Sequence, residues 1–148
     1  MKSPDEFFQR HLLMGAFPTA PYPGNDHTIE PDPEVERYYL DYGHMFNLMH
    51  GRSWVLMPNV AAVARKSALC NVFRAGKRIL VPLVMGTADT VTLRLRHCGE
   101  LGLLPSLQVE TWYPGKDKPV TGRAFVPGDE LIMNVPLERG CAFLVFSR

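Results

Sequence analysis

The spacing of apolar positions divides the chain in two. Up to Gly51 hydrophobic residues recur every three or four positions; beyond it they recur every second position, as in strands. Ser3-Pro4-Asp5-Glu6 reads as a capping box, in which the Ser3 hydroxyl accepts from the Glu6 amide and Pro4 suits the first helical position. Phe7, Phe8, His11, Leu12 and Met14 follow at helical spacing, and Gly15 is placed to close the helix in the left-handed conformation. A second helix is signalled by Asp32 as N-cap, Pro33 at its first position, and Glu34 and Glu36 near the positive end of the helix dipole. Its stripe of Val35, Tyr38, Tyr39, Tyr42, Met45, Phe46 and Met49 requires a partner surface, and His50-Gly51 mark its end. Between the helices Pro18, Pro21, Pro23 and Pro31, with Gly24-Asn25-Asp26, exclude long regular structure, while Phe17, Tyr22 and Ile29 favour an ordered loop.

After Gly51 the alternation and its punctuation predict short strands near residues 53–57, 60–65, 68–74, 78–85, 90–97, 106–113, 123–126, 130–136 and 141–146. In Thr90-Val91-Thr92-Leu93-Arg94-Leu95-Arg96 the aliphatic residues face a core and the others face water. The run from Cys141 to Phe146 lacks polar alternation, which suits a strand covered on both faces. Turn signals fall at Ala75-Gly76-Lys77, Gly86-Thr87-Ala88-Asp89, Pro114-Gly115-Lys116-Asp117 and Pro127-Gly128-Asp129. Pro58, Pro82 and Pro136 cannot donate to a ladder and are expected at edges, strand ends or bulges. No crossover helices separate the strands. The predicted fold is therefore mainly β: an antiparallel β-sandwich or jelly-roll-like domain over residues 52–148, preceded over residues 1–51 by two short helices and a Pro-rich loop.

A chain of 148 residues, 46% hydrophobic and 21% charged, forms a sizeable core without staples. Sixteen basic and fifteen acidic residues are scattered without a basic stripe, so nucleic acid is not expected as a partner. Cys70, Cys98 and Cys141 are odd in number and lack CxxC spacing, which argues against a disulfide framework or a zinc knuckle and for buried thiols. The start Met1-Lys2-Ser3-Pro4-Asp5 has no apolar signal region, and no apolar run reaches membrane-spanning length, so neither an export signal nor a membrane partner is expected.

Candidate chemistry collects in two places. Asn25, Asp26 and His27, on the Pro-rich loop, bring together an amide, a carboxylate and an imidazole; the choice lies between ligand contact and an Asx-turn with a histidine bonded to a nearby carbonyl. Trp112 and Tyr113, ahead of Pro114-Gly115, form either an aromatic platform for a sugar or one core ring and one turn ring. His11, His44 and His50 lack metal-ligand spacing, Cys98 lacks a base, and nucleotide and serine-hydrolase motifs are absent, so no metal, no cofactor and no catalytic residue is assigned. Trp54 reads as a core residue.

The order of parts, with Leu12-Leu13-Met14-Gly15, the run from Phe17 through Pro18-Thr19-Ala20-Pro21-Tyr22-Pro23-Gly24-Asn25-Asp26 to His27, Gly51-Arg52-Ser53-Trp54-Val55-Leu56 and the closing Val135-Pro136-Leu137-Glu138-Arg139-Gly140-Cys141-Ala142, resembles the tail of glycoside-hydrolase-like proteins. In these a (β/α)₈ barrel is followed by an all-β domain. The resemblance implies that residues 1–51 are a remnant of the preceding domain, that the catalytic carboxylates lie upstream, and that this chain is not an enzyme by itself. Its partners would be the upstream catalytic domain and an oligosaccharide. Two rival functions remain open: an autonomous carbohydrate-binding module, and a small enzyme working through Asp26 and His27.

Overall fold

The structure is a computed structural model that describes residues 3–18, 33–64 and 67–148. Among the described residues two helices, α1 (Pro4–Met14) and α2 (Pro33–Leu48), precede ten short strands. These are β1 (Ser53–Trp54), β2 (Ala61–Val63), β3 (Leu69–Cys70), β4 (Phe73–Ala75), β5 (Arg78–Val84), β6 (Thr90–Leu95), β7 (Ser106–Trp112), β8 (Val120–Phe125), β9 (Leu131–Pro136) and β10 (Ala142–Ser147). The large sheet runs β1-β4-β5-β10-β7-β8, with β3 also on β5, and the small one runs β2-β6-β9; every pairing is antiparallel. The mainly β, antiparallel sandwich expected from the alternation is what the chain forms.

Alternation in the strands creates two apolar layers. Ile79, Val81 and Leu83 of β5, Ala142, Leu144 and Phe146 of β10, and Leu107 and Val109 of β7 face Val91, Leu93, Leu95, Leu131 and Val135 of the small sheet. The alternate residues, Leu80, Val84, Phe143 and Val145 with Phe73 of β4, face the helices and meet Phe8, Leu12, Tyr42, Met45, Phe46 and Met49. β5 and β10 are therefore covered on both faces, which is why Cys141 to Phe146 carries no polar residue.

The helix signals act as read. Ser3 Oγ accepts from the Glu6 amide at 3.2 Å, Pro4 opens α1, and Gly15 closes it at φ 68°. A side chain at Gly15 would also meet the Phe73 ring at 2.8 Å, so glycine both turns the chain and lets α1 lie close to the sheet. Pro33 begins α2 and Gly51 follows it at φ 73°; Asp32, its expected N-cap, lies outside the described residues.

Several expectations are corrected. Pro82 was expected at an edge, end or bulge but lies within β5, between β10 and the β3–β4 pair. The register of β3 and β4 on β5 is continuous and sets Asn71 opposite Pro82, where the ladder breaks. Proline's missing N–H thus divides the strand expected over 68–74 into two. The Asn71 side chain occupies the gap: Val72 N donates to Asn71 Oδ1 at 2.8 Å, and Asn71 Nδ2 donates to the Leu13 carbonyl at 2.9 Å, tying the gap to α1. Trp54, expected in the core, is 55% exposed because β1 is a two-residue edge strand; its ring makes an edge contact with Phe73. The strand expected at 123–126 begins earlier, at Val120. Of the thiols, Cys98 and Cys141 are buried and Cys70 is half-buried.

Candidate functional site

Asn25, Asp26 and His27 lie outside the described residues. The consecutive Trp112 and Tyr113 point to opposite sides of the large sheet and share no surface. Tyr113 is buried between the sheets, with its hydroxyl donating to the Pro136 carbonyl at 2.8 Å, and burial pushes that hydroxyl up. Trp112 turns to the helix side, half-buried, and its Nε1–H donates to Glu110 Oε2 at 3.2 Å. The two-ring platform is corrected accordingly: one ring is core and the other borders an open face.

Two polar arrangements stand out, and they differ in kind. The first is a closed clasp where α1, α2 and the β9–β10 hairpin meet. Arg139 sits at φ 54° in the turn after β9, which aims its guanidinium back at the helices; Nη2 donates to Asp5 at 2.6 Å and Nη1 to Asp41 at 2.7 Å. The guanidinium also lies 5.4 Å from the Tyr38 ring centroid and 5.6 Å from that of Tyr42. Burial would lower the Arg139 pKa, but the hydrogen bonds to Asp5 and Asp41 outweigh it and raise it. Tyr42 donates to Asp5 at 2.6 Å, and its hydroxyl is pushed well up by burial and by that carboxylate. Gln9, 2% exposed, donates to the Tyr42 hydroxyl at 3.0 Å and to the Arg139 carbonyl at 2.8 Å, and accepts from Met85 N at 2.7 Å. These bonds join α1, α2 and the β9–β10 hairpin and so orient the helices on the sheet.

The second arrangement is the helix-side face of β7 and β8. Opposed residues of an antiparallel pair share a face. The register Gln108↔Arg123, Glu110↔Thr121 and Ser106↔Phe125 therefore puts all six side chains on the same side as Trp112. The helices cover β4, β5 and β10 but reach β7 only at its end, where His44 of α2 stacks on Trp112 at 6.0 Å. The remaining face is open: β8 is exposed almost throughout, and Phe125 is 69% exposed. A depression of about 340 Å³ lies over these strands, lined by Gln108, Val109, Glu110, Thr121, Gly122 and Arg123.

Sequence reading passed over Gln9, Asp41 and Arg139, and the β7–β8 row apart from Trp112. The signals were present for the first two: Gln9 lies with Asp5, Phe8 and Leu12, and Asp41 with Tyr38, Tyr42 and Met45, at the spacing of the buried stripes. A polar residue inside an apolar stripe marks a buried hydrogen-bonding role. Among the described residues no group of His, Cys, Asp and Glu has the arrangement of a metal site, and no helix is long and apolar enough to cross a membrane.

No family model and no curated protein matches the chain. Among solved structures, that of N2152 from Neocallimastix frontalis is similar over 53% of this chain and 23% of its own length, at 8% identity and a TM-score of 0.40. This chain thus spans under a quarter of that protein, and a likeness at that level carries no argument about function.

Proposed function

We propose that this chain is a non-catalytic β-sandwich module of a carbohydrate-active, glycoside-hydrolase-like protein, held against an upstream catalytic domain. The observation that carries the reading is the union of the helical segment with the sandwich. α1 and α2 lay their apolar stripes on the large sheet, and the Arg139 clasp fixes their angle. A segment joined in this way supports the role of a rigid coupling, through which an upstream body and the sandwich keep one orientation. The resemblance of the Leu12–Gly15, Phe17–His27 and Gly51–Leu56 runs to glycoside-hydrolase tails supplies the carbohydrate setting.

The carboxylates that the fold brings together support a structural role. Glycosidic cleavage uses two carboxyl groups flanking the bond, one of them protonated. Asp5 and Asp41 instead share one guanidinium, and Glu110 holds the Trp112 indole. The test is incubation of the purified chain with maltohexaose, cellohexaose, xylohexaose and mannohexaose, with chromatography of the products. The substrates should return uncut; turnover abolished by substituting Asp26 or His27 would overturn the reading in favour of a small enzyme.

A further inference from the structure

We propose that the open helix-side face of β7 and β8 is a binding platform for a neutral, extended oligosaccharide. In this platform Trp112 borders one end, Phe125 borders the other, and Gln108, Glu110, Thr121 and Arg123 form the floor. The proposal takes its setting from the carbohydrate-active reading above and its residues from this face alone.

The face is polar where its neighbours are apolar. On β4, β5 and β10 the helix-side residues under the helices include Phe73, Leu80, Val84, Phe143 and Val145. One strand further on, the same side carries an amide, a carboxylate, a hydroxyl and a guanidinium in two directly opposed pairs. Among the described residues, the side chains of Gln108, Thr121 and Arg123 take part in no hydrogen bond or ion pair, and Glu110 is engaged through Oε2 alone. The floor therefore offers donors and acceptors a few ångströms apart, the spacing of neighbouring hydroxyls on a sugar ring.

Charge selects the class of ligand. The floor carries one Glu110 and one Arg123, so it has no net charge; a polyphosphate would meet the carboxylate and a polyamine the guanidinium, each with an unpaired like charge. A neutral polyhydroxyl chain meets neither penalty. Length fits as well. Phe125 stands opposite Ser106, six residues along β7 from Trp112, so the two rings are roughly 20 Å apart at about 3.3 Å per residue. That distance accommodates several sugar rings, those at the ends presenting C–H faces to Trp112 or Phe125 and those between them hydroxyl edges to the floor. His44, stacked on Trp112, walls the α2 side and orients the indole.

The test is a titration of the isotope-labelled full chain with maltohexaose, cellohexaose, xylohexaose and mannohexaose, followed by amide and indole N–H resonances, with oligogalacturonate as the anionic control. At least one neutral sugar should give saturable shifts of the Trp112 indole and of β7 and β8 amides. Gln108→Ala, Arg123→Ala and Phe125→Ala, all on the open face, should each weaken it several-fold, and Trp112→Ala about tenfold, with the fold retained in the first three. The proposal is overturned if no neutral sugar moves these resonances at millimolar concentration, if the shifts map to another surface, if the open-face variants bind as tightly as the parent, or if oligogalacturonate binds more tightly. Binding and turnover fail separately: absent binding removes this platform alone, whereas turnover removes the non-catalytic reading alone.

Discussion

The two apolar layers on either side of the large sheet are made from different side chains. Between the sheets the buried residues are almost all aliphatic, with Phe146 and Tyr113 as the large exceptions. Between helices and sheet they are largely aromatic or methionine: Phe8, Tyr42, Met45, Phe46, Met49, Phe73 and Phe143. β-Branched and leucine side chains interdigitate on pleated surfaces and need no polar partner. Rings and flexible thioethers fill the irregular space under a helix but specify its orientation poorly. The polar clasp of Gln9, Tyr42, Asp5, Asp41 and Arg139 lies in the second layer, where orientation needs a directional interaction. One layer supplies cohesion, and the other positions the helices.

That contrast can be broken from either side. Leu93→Ala, at a fully buried site in the central strand of the small sheet, should cost about 3–5 kcal/mol and lower the whole urea transition, since a cavity there weakens the cohesive layer. Tyr42→Ala or Met45→Ala should cost roughly 2–4 kcal/mol; hydrogen exchange should speed first in the helices while β5 and β10 stay protected, and a loss under half that size would show the helices undocked. Arg139→Met leaves Asp5 and Asp41 without their shared partner and should cost about 1–2 kcal/mol, limited by the one-third exposure of the guanidinium. Salt should reduce that difference, whereas the Leu93→Ala effect should not respond to it.

Alkali also probes the helix-side layer. Burial, and secondarily the Asp5 carboxylate, pushes the fully enclosed Cys141 thiol well above its ordinary 9.0. The unfolded chain releases that proton as pH passes its ordinary value while the folded chain keeps it. Stability present below that pH therefore falls as pH rises further, by about 1.4 kcal/mol per pH unit for each retained proton. Denaturant melts across the alkaline range should show this slope, and Cys141→Ala should reduce it by one proton's worth. The smallest effect belongs to the open face. Arg123→Ala should change stability by no more than about 0.5 kcal/mol, and a larger loss would mean that β8 depends on that side chain.

Much of the architecture was legible because it rests on local chemistry. The Ser3 cap, Gly15 and the strict alternation of β6 each act within a few residues. What was missed depends on neighbours distant in sequence. Pro82 breaks a ladder on the strand that pairs with it, and nothing around residue 71 announces the break. Trp54 looks like a core residue in composition, yet its strand is too short and too peripheral to be covered. The divergence of Trp112 and Tyr113 follows from strand period, but which of the two meets the helices depends on the sheet order. The open β7–β8 row is likewise visible only once the helices are seen to stop at β10 and the end of β7.

The sheet order also governs when the molecule can assemble. β10, the last of these ten strands in chain order, lies in the middle of the large sheet between β5 and β7, and Arg139, just before it, reaches back to Asp5 in α1. During translation the nascent chain therefore holds two half-sheets with open flanks and a pair of helices without a fixed seat. Closure of the large sheet waits for the β9–β10 hairpin, so folding is dominated by distant contacts and should be slow for its size.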